Sequence, residues 1–154
     1  MATEIERKFL VTGTDWRNSV GVTISQGYLS RDKERTVRVR LAGKRAFLTI
    51  KGITTGASRP EFEYEIPVSD AEQLVKLCDG PLVEKVRRAI VYGGFTWAVD
   101  EFLGKNAGLV IAEVELEAED QPFERPHWVG QDVTGDARYY NSYLAAHPYR
   151  SWRV

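Results

Sequence analysis

The strongest pattern along the chain is an alternation of apolar and polar side chains with period two, which marks half-buried strands. It predicts eight strands, at about 3–11, 23–30, 35–42, 45–52, 59–67, 82–92, 95–103 and 109–118. Turn chemistry separates them: Gly43-Lys44, the Gly93-Gly94 pair, the run 104–108 and a longer loop over 52–58. Helical signals are fewer. Residues 69–78 place Leu74 and Leu77 on one face, with Ser69 as the expected N-cap and Glu72 as its capping-box partner. Short helices are expected over 14–20 and 138–146. The predicted fold is mainly β (α+β): an eight-stranded antiparallel β-barrel with a few flanking helices. The 154 residues suit one domain, and no repeat or linker interrupts 1–154.

Side chains two apart on a strand share a face, and here those faces are sorted by charge. Glu4, Glu6 and Lys8 share one face of the first strand, and Arg38 and Arg40 one of the third. Thr49 and Lys51 share one in the fourth, and Glu61, Glu63 and Glu65 one in the fifth. Lys85 and Arg87 follow in the sixth, Asp100 in the seventh, and Glu113, Glu115 and Glu117 in the eighth. For one strand alone, a charged face reads as a solvated outer face. Seven of eight strands carry a charged face, and the signs are sorted, with Glu-x-Glu and Arg-x-Arg on separate strands, which points to a purpose for concentrated charge. If these faces line the lumen, the bases call for a polyanion, because Arg forks and Lys point charges suit phosphate oxygens. The acids would repel that polyanion unless divalent cations bridge the two, and carboxylates hold Mg²⁺ or Mn²⁺ well. Scarce His and Cys argue against zinc.

Composition narrows the classes further. With 21 Lys+Arg against 22 Asp+Glu, the net charge of −1 carries no footprint for nucleic acid or an anionic membrane. No stretch reaches membrane-spanning length, and the opening MATEIERKFLV holds no leader-like apolar run. One cysteine, Cys78, fits a reducing cytoplasm. His127 and His147 are expected at the surface, and Trp16, Trp97, Trp128 and Trp152 against the barrel exterior. Apolar exterior left uncovered by so few helices makes a homodimer an expectation.

The ordered set Glu4-x-Glu6-x-Lys8, Gln26-Gly27-Tyr28-Leu29, Arg38-x-Arg40, Lys51, Glu61-x-Glu63, Lys85-x-Arg87, Asp100, Glu113-x-Glu115 and Arg138-Tyr139-Tyr140-Asn141 resembles the triphosphate tunnel metalloenzymes of the CYTH superfamily. The resemblance covers nearly the whole chain and is nearest to bacterial members that hydrolyse inorganic tripolyphosphate. It implies a small-molecule triphosphate substrate bound by Lys8, Arg38, Arg40, Lys51, Lys85, Arg87, Arg138 and Tyr28. It implies two Mg²⁺ or Mn²⁺ ions held among Glu4, Glu6, Glu61, Glu63, Asp100, Glu113 and Glu115. One ion is expected at Glu4, Glu6 and Glu115. The second, near Glu61 and Glu63, would activate the attacking water. Glu4, Glu6, Lys8, Glu63 and Lys85 are the expected catalytic set. At Tyr140 the chain departs from relatives that carry a lysine there, and Tyr140 supplies no charge. A class IV-type adenylate cyclase, a thiamine or nucleoside triphosphatase, and a non-catalytic sensor of phosphorylated ligands remain as alternatives.

Overall fold

The computed structural model describes residues 3–152. All eight expected strands form: β1 (Thr3–Val11), β2 (Gly21–Asp32), β3 (Arg35–Ala42), β4 (Arg45–Lys51), β5 (Ser58–Ile66), β6 (Asp79–Tyr92), β7 (Phe95–Phe102) and β8 (Val110–Glu115). A ninth, β9 (Val129–Asp132), was not expected. Every pairing is antiparallel. β2 to β5 run as a meander on one side, β6 to β8 on the other, and β2 pairs with β6 to join them. β1 closes the barrel, pairing with β8 along one edge and with β5 along the other.

That second edge of β1 is shared. Thr3, Glu4 and Ile5 face β5, and beyond the point where β5 ends its contact, Phe9 and Val11 pair with Asp132 and Val129 of β9. β9 therefore covers backbone groups that the barrel leaves open. Its four residues carry too short a pattern to register as alternation.

Two apolar clusters coat the outside. Phe9, Trp97, Val99, Ala112 and Val114 face outward from β1, β7 and β8, under Trp16, Leu116 and Trp128. Trp97 meets Trp128 edge-on with ring centroids 5.7 Å apart. These three tryptophans lie where expected. Elsewhere α1 (Val68–Leu74), continued by a 3-10 turn at Val75–Leu77, lays Ala71, Leu74 and Val75 on Val39, Leu41, Ala46 and Leu48. The helix begins one residue before the expected N-cap, so Ser69 lies inside its first turn. Pro67 takes the cap position, where its fixed φ of −59° suits extended entry, and its carbonyl accepts the first helical bond from Ala71. No side-chain cap forms. The expected helix at 14–20 is a 3-10 turn, Asp15–Asn18.

A third cluster closes one mouth. The segment expected to be helical over 138–146 divides into a 3-10 turn (Ala137–Tyr139) and α2 (Asn141–Ala146). Leu144 and Ala145 of α2 pack on Tyr28, Val83, Phe102 and Ile111. Those four residues come from β2, β6, β7 and β8, each two positions from Gln26, Lys85, Asp100 and Glu113 on the same strand face. The inner face thus turns from charged to apolar at the end that α2 plugs. Among the described residues no helix is long and apolar enough to cross a membrane.

Candidate active site

The inner faces enclose a cavity of about 260 Å³. Six cationic side chains line it, Lys8, Arg38, Arg40, Lys51, Lys85 and Arg87, with six acids, Glu4, Glu6, Glu61, Glu63, Glu113 and Glu115. Thr96, Ala98 and Asn141 complete the wall, and none of the lining residues is aromatic. A smaller cavity, about 50 Å³, shares Glu4, Glu6, Lys8, Arg38, Lys51 and Asn141 with it. This second space is bounded by Tyr28, Thr36, Arg59, Thr134, Tyr140, Ser142 and the loop residues Thr54, Gly56 and Ala57. The structure thus brings together nearly all the charged residues singled out from strand alternation.

Opposite charges interlock across the lumen. Lys8 Nζ lies 2.7 Å from Glu113 and 3.4 Å from Glu6. Lys51 Nζ donates to both oxygens of Glu4 at 3.0 Å and sits 3.3 Å from Glu61. Arg38 reaches Glu63 at 3.3 Å, and the Thr49 hydroxyl bridges the two. Arg38 Nε is nonetheless buried without a partner among the described residues, a donor on a cavity-lining cation that a phosphate oxygen would satisfy. Among the described residues Arg40 meets no carboxylate: its Nε donates to the amide oxygen of Gln26 at 2.8 Å. Burial lowers the pKa of Arg40, and Arg38 and Arg87 lower it further. It is a crowded cation awaiting an anion.

Asp100 and Arg138 lie outside the cavity lining. Asp100 is fully buried and lies behind the lining rather than in it. Its Oδ1 accepts from Arg87 Nε at 2.7 Å, and its Oδ2 accepts from Arg87 Nη2 at 2.8 Å and pairs with Lys85 at 2.7 Å. Both oxygens are thus engaged by these two cations. Burial opposes its charge, but Lys85 and Arg87 outweigh burial and hold its pKa at about 2. Burial, then Arg87 and Arg40, pull Lys85 down to about 7 against the attraction of Asp100. Arg138 stays outside the cavity, folded onto Asp136 at 2.6 Å and against the rings of Tyr139 and Trp152. The 3-10 turn ahead of α2 directs it away from the lumen. Glu65 pairs with Arg45 on the exposed rim.

Gln26, Thr36, Thr49, Arg59 and Asn141 belong to the site but were not assigned to it from sequence. Uncharged amides and hydroxyls carry no charge pattern, and Arg59 lies at the strand start opposite Glu4. Signals were available for three of them: Gln26 and Asn141 stand in motifs that carry the family resemblance, and Thr49 shares a strand face with Lys51.

The donor set suits a hard divalent cation. Every acid lining the cavity is a carboxylate, with neither His nor Cys among them. Glu4, Glu6 and Glu115 all have raised pKa values, Glu6 to about 6. Burial is the largest cause at each; Glu61 adds to it at Glu4, Glu113 at Glu6, and Glu4 and Glu6 at Glu115. A cation among them would relieve that repulsion. Among the described residues no three acids converge into a ready cage, since most lean on lysine or arginine.

The CYTH domain pattern matches residues 2–140. The chain belongs to the CYTH family. It is 49% identical over 155 residues to an inorganic triphosphatase of Acetivibrio thermocellus, covering 99% of each chain. It is 39% identical over 147 residues to an inorganic triphosphatase of Nitrosomonas europaea, covering 93% of this chain and 97% of that one. A solved inorganic triphosphatase structure superposes with a TM-score of 0.67 at 37% identity, over 94% of this chain and 95% of the other. The closed eight-stranded sheet with one added strand and two helices is the CYTH tunnel fold. In this CYTH chain Tyr140 borders the smaller cavity, while the next residue, Asn141, reaches the lumen and bonds Lys85 at 3.0 Å.

Proposed function

We propose that this protein is a divalent-cation-dependent hydrolase of inorganic triphosphate. The observation that carries the reading is the 260 Å³ lumen lined by six cations and six carboxylates with no aromatic side chain. A linear polyanion matches these cations, and Tyr28 and Tyr140 border the smaller adjoining cavity instead. The names of the two curated relatives support the same substrate.

Lys8, Arg38, Arg40, Lys51, Lys85 and Arg87 bind phosphate oxygens and fix the chain of phosphates along the tunnel. Phosphoryl transfer depends mainly on such positioning and on charge stabilisation. Arg40 and the orphaned Arg38 Nε offer donors without having to break a carboxylate pair. Lys8 and Lys51 exchange Glu113 and Glu4 for substrate, which frees carboxylates as phosphate enters. Glu4, Glu6 and Glu115 are the residues that would hold a divalent cation, with Glu61 and Glu63 as a second group. Mg²⁺ or Mn²⁺ there would supply charge neutralisation at the phosphoryl oxygens and acidify water. Tyr28, buried under α2 at the wall of the smaller cavity, completes the substrate-facing set. A reducing cytoplasm suits the single Cys78. The exposed outer face of β4 and β5, with Ile50, Phe62 and Tyr64, supports pairing with a second copy, which sedimentation would test.

The experiment is phosphate release from tripolyphosphate, ATP and thiamine triphosphate, with Mg²⁺, with Mn²⁺ and with chelator. Release from tripolyphosphate well above ATP, lost with chelator and in Glu4→Ala, supports the reading. No release from any of the three overturns it, and cyclic AMP formation from ATP would replace it with the cyclase.

A further inference from the structure

An amide relay links the plug helix to two lumen cations. The Asn141 Oδ1 accepts from Lys85 Nζ at 3.0 Å and from Gln26 Nε2 at 3.1 Å. Gln26 in turn accepts from Arg40 Nε at 2.8 Å through its Oε1, and its Nε2 also lies 3.3 Å from the Tyr28 hydroxyl. Gln26 is completely buried. The polarity of the relay is fixed by its ends. Arg40 can only donate, so the Gln26 oxygen must face Arg40 and its amino group must face Asn141. The oxygen of Asn141 then necessarily points at both donors.

Capping does not explain Asn141. Tyr140 is the N-cap of α2 and makes no side-chain cap bond, and the Asn141 side-chain bonds both run to the lumen. The choice of amides has a consequence for charge. Carboxylates elsewhere in the tunnel orient a cation and cancel it in the same contact. Gln26 and Asn141 add no negative charge of their own: Gln26 orients Arg40, which pairs with no carboxylate among the described residues, and Asn141 orients Lys85, whose ion pair is with the buried Asp100 behind the lining.

Resting on the triphosphatase reading above, we propose that Gln26 and Asn141 are positioning residues. They hold Arg40 and Lys85 at substrate-binding geometry without adding a carboxylate beside them, and they make that geometry depend on the seating of α2. The two amides act in series. Losing either releases the relay, so losing both adds little.

The test is steady-state kinetics on tripolyphosphate for wild type, Asn141→Leu, Gln26→Leu, the double variant and Asn141→Asp, with melting curves for each. Asn141→Leu and Gln26→Leu should each lower kcat/KM on the order of 10- to 100-fold, as misplacement of binding groups does. The double variant should lose about as much as one single variant. Asn141→Asp keeps the acceptor and the fold but adds a negative charge, so it should retain kcat better than Asn141→Leu and raise KM. A purely structural role would instead make kinetic losses track melting temperature and make Asn141→Asp indistinguishable from wild type. Either of those results, or single losses that multiply in the double variant, overturns the proposal. Wild-type turnover separates this outcome from failure of the functional reading. Should wild type not hydrolyse tripolyphosphate, its binding by calorimetry carries the same comparison, and equal affinity in wild type and Asn141→Leu, or no binding by either, rejects the relay.

Discussion

Asp100→Asn tests whether one buried carboxylate holds two lumen cations. Asp100 is wholly inaccessible and satisfies Lys85 and Arg87 through three contacts of 2.7–2.8 Å. The amide is nearly isosteric, so packing is preserved while the charge is lost and one oxygen becomes an NH₂ group facing cations. Breaking one side of a buried ion pair costs about 3–5 kcal/mol. The low end applies here. Lys85, already drawn to about 7, can release its proton once Asp100 is neutral, and Arg87 can turn toward Glu113, 3.7 Å away. A loss of about 3 kcal/mol corresponds to a fall in melting temperature of about 6–12 °C for a chain of this size.

Urea unfolding at pH 7 measures the loss directly. The acid limb gives a second check. The folded-state pKa of Asp100 is depressed from 3.8 to about 2, so its contribution is present above the unfolded value and lost as pH falls through the folded one. That shift is worth about 2 kcal/mol, and the wild-type advantage should shrink between about pH 4 and pH 2. A variant within about 1 kcal/mol of wild type at pH 7 would refute the bracing role and reopen Asp100 as a metal ligand.

Three further outcomes are expected. Arg40→Gln should lower kcat/KM for tripolyphosphate on the order of 100-fold, yet leave urea stability unchanged or higher, because Arg40 meets no carboxylate among the described residues and is crowded by Arg38 and Arg87; a stability loss above about 1 kcal/mol would contradict that account. Added Mg²⁺ or Mn²⁺ should raise the melting temperature without substrate, by about 2.7 kcal/mol of stability at 100 times its Kd, and Glu6→Gln should abolish most of the rise. Glu119→Ala should speed amide exchange in the loop 52–57 and raise KM, since Glu119 Oε1 accepts from Ala57 N at 2.7 Å and that loop borders the smaller cavity; unchanged exchange would show that the loop is held by other means.

Period-two alternation is a property of each strand alone, and it was legible without knowing which strand pairs with which. It located eight strands nearly to their ends and grouped Glu4, Glu6 and Lys8, or Lys85 and Arg87, on single faces. Those faces proved to be the lumen. The resemblance of the same charged pairs to a known family supplied the substrate class. Features set by long-range placement were not legible. Whether Asp100 meets a metal or two cations depends on the register that sets it opposite Arg87. β9 exists as a strand only because β1 has an edge left open beyond β5. Arg138 and Asn141 lie three residues apart in one motif, yet a 3-10 turn followed by a helix sends one outward and the other inward. Local sequence fixes which residue types alternate, because that follows from backbone geometry. Closure of the barrel and the docking of α2 decide which charges meet, because those distances arise only when strands far apart in the chain are brought together.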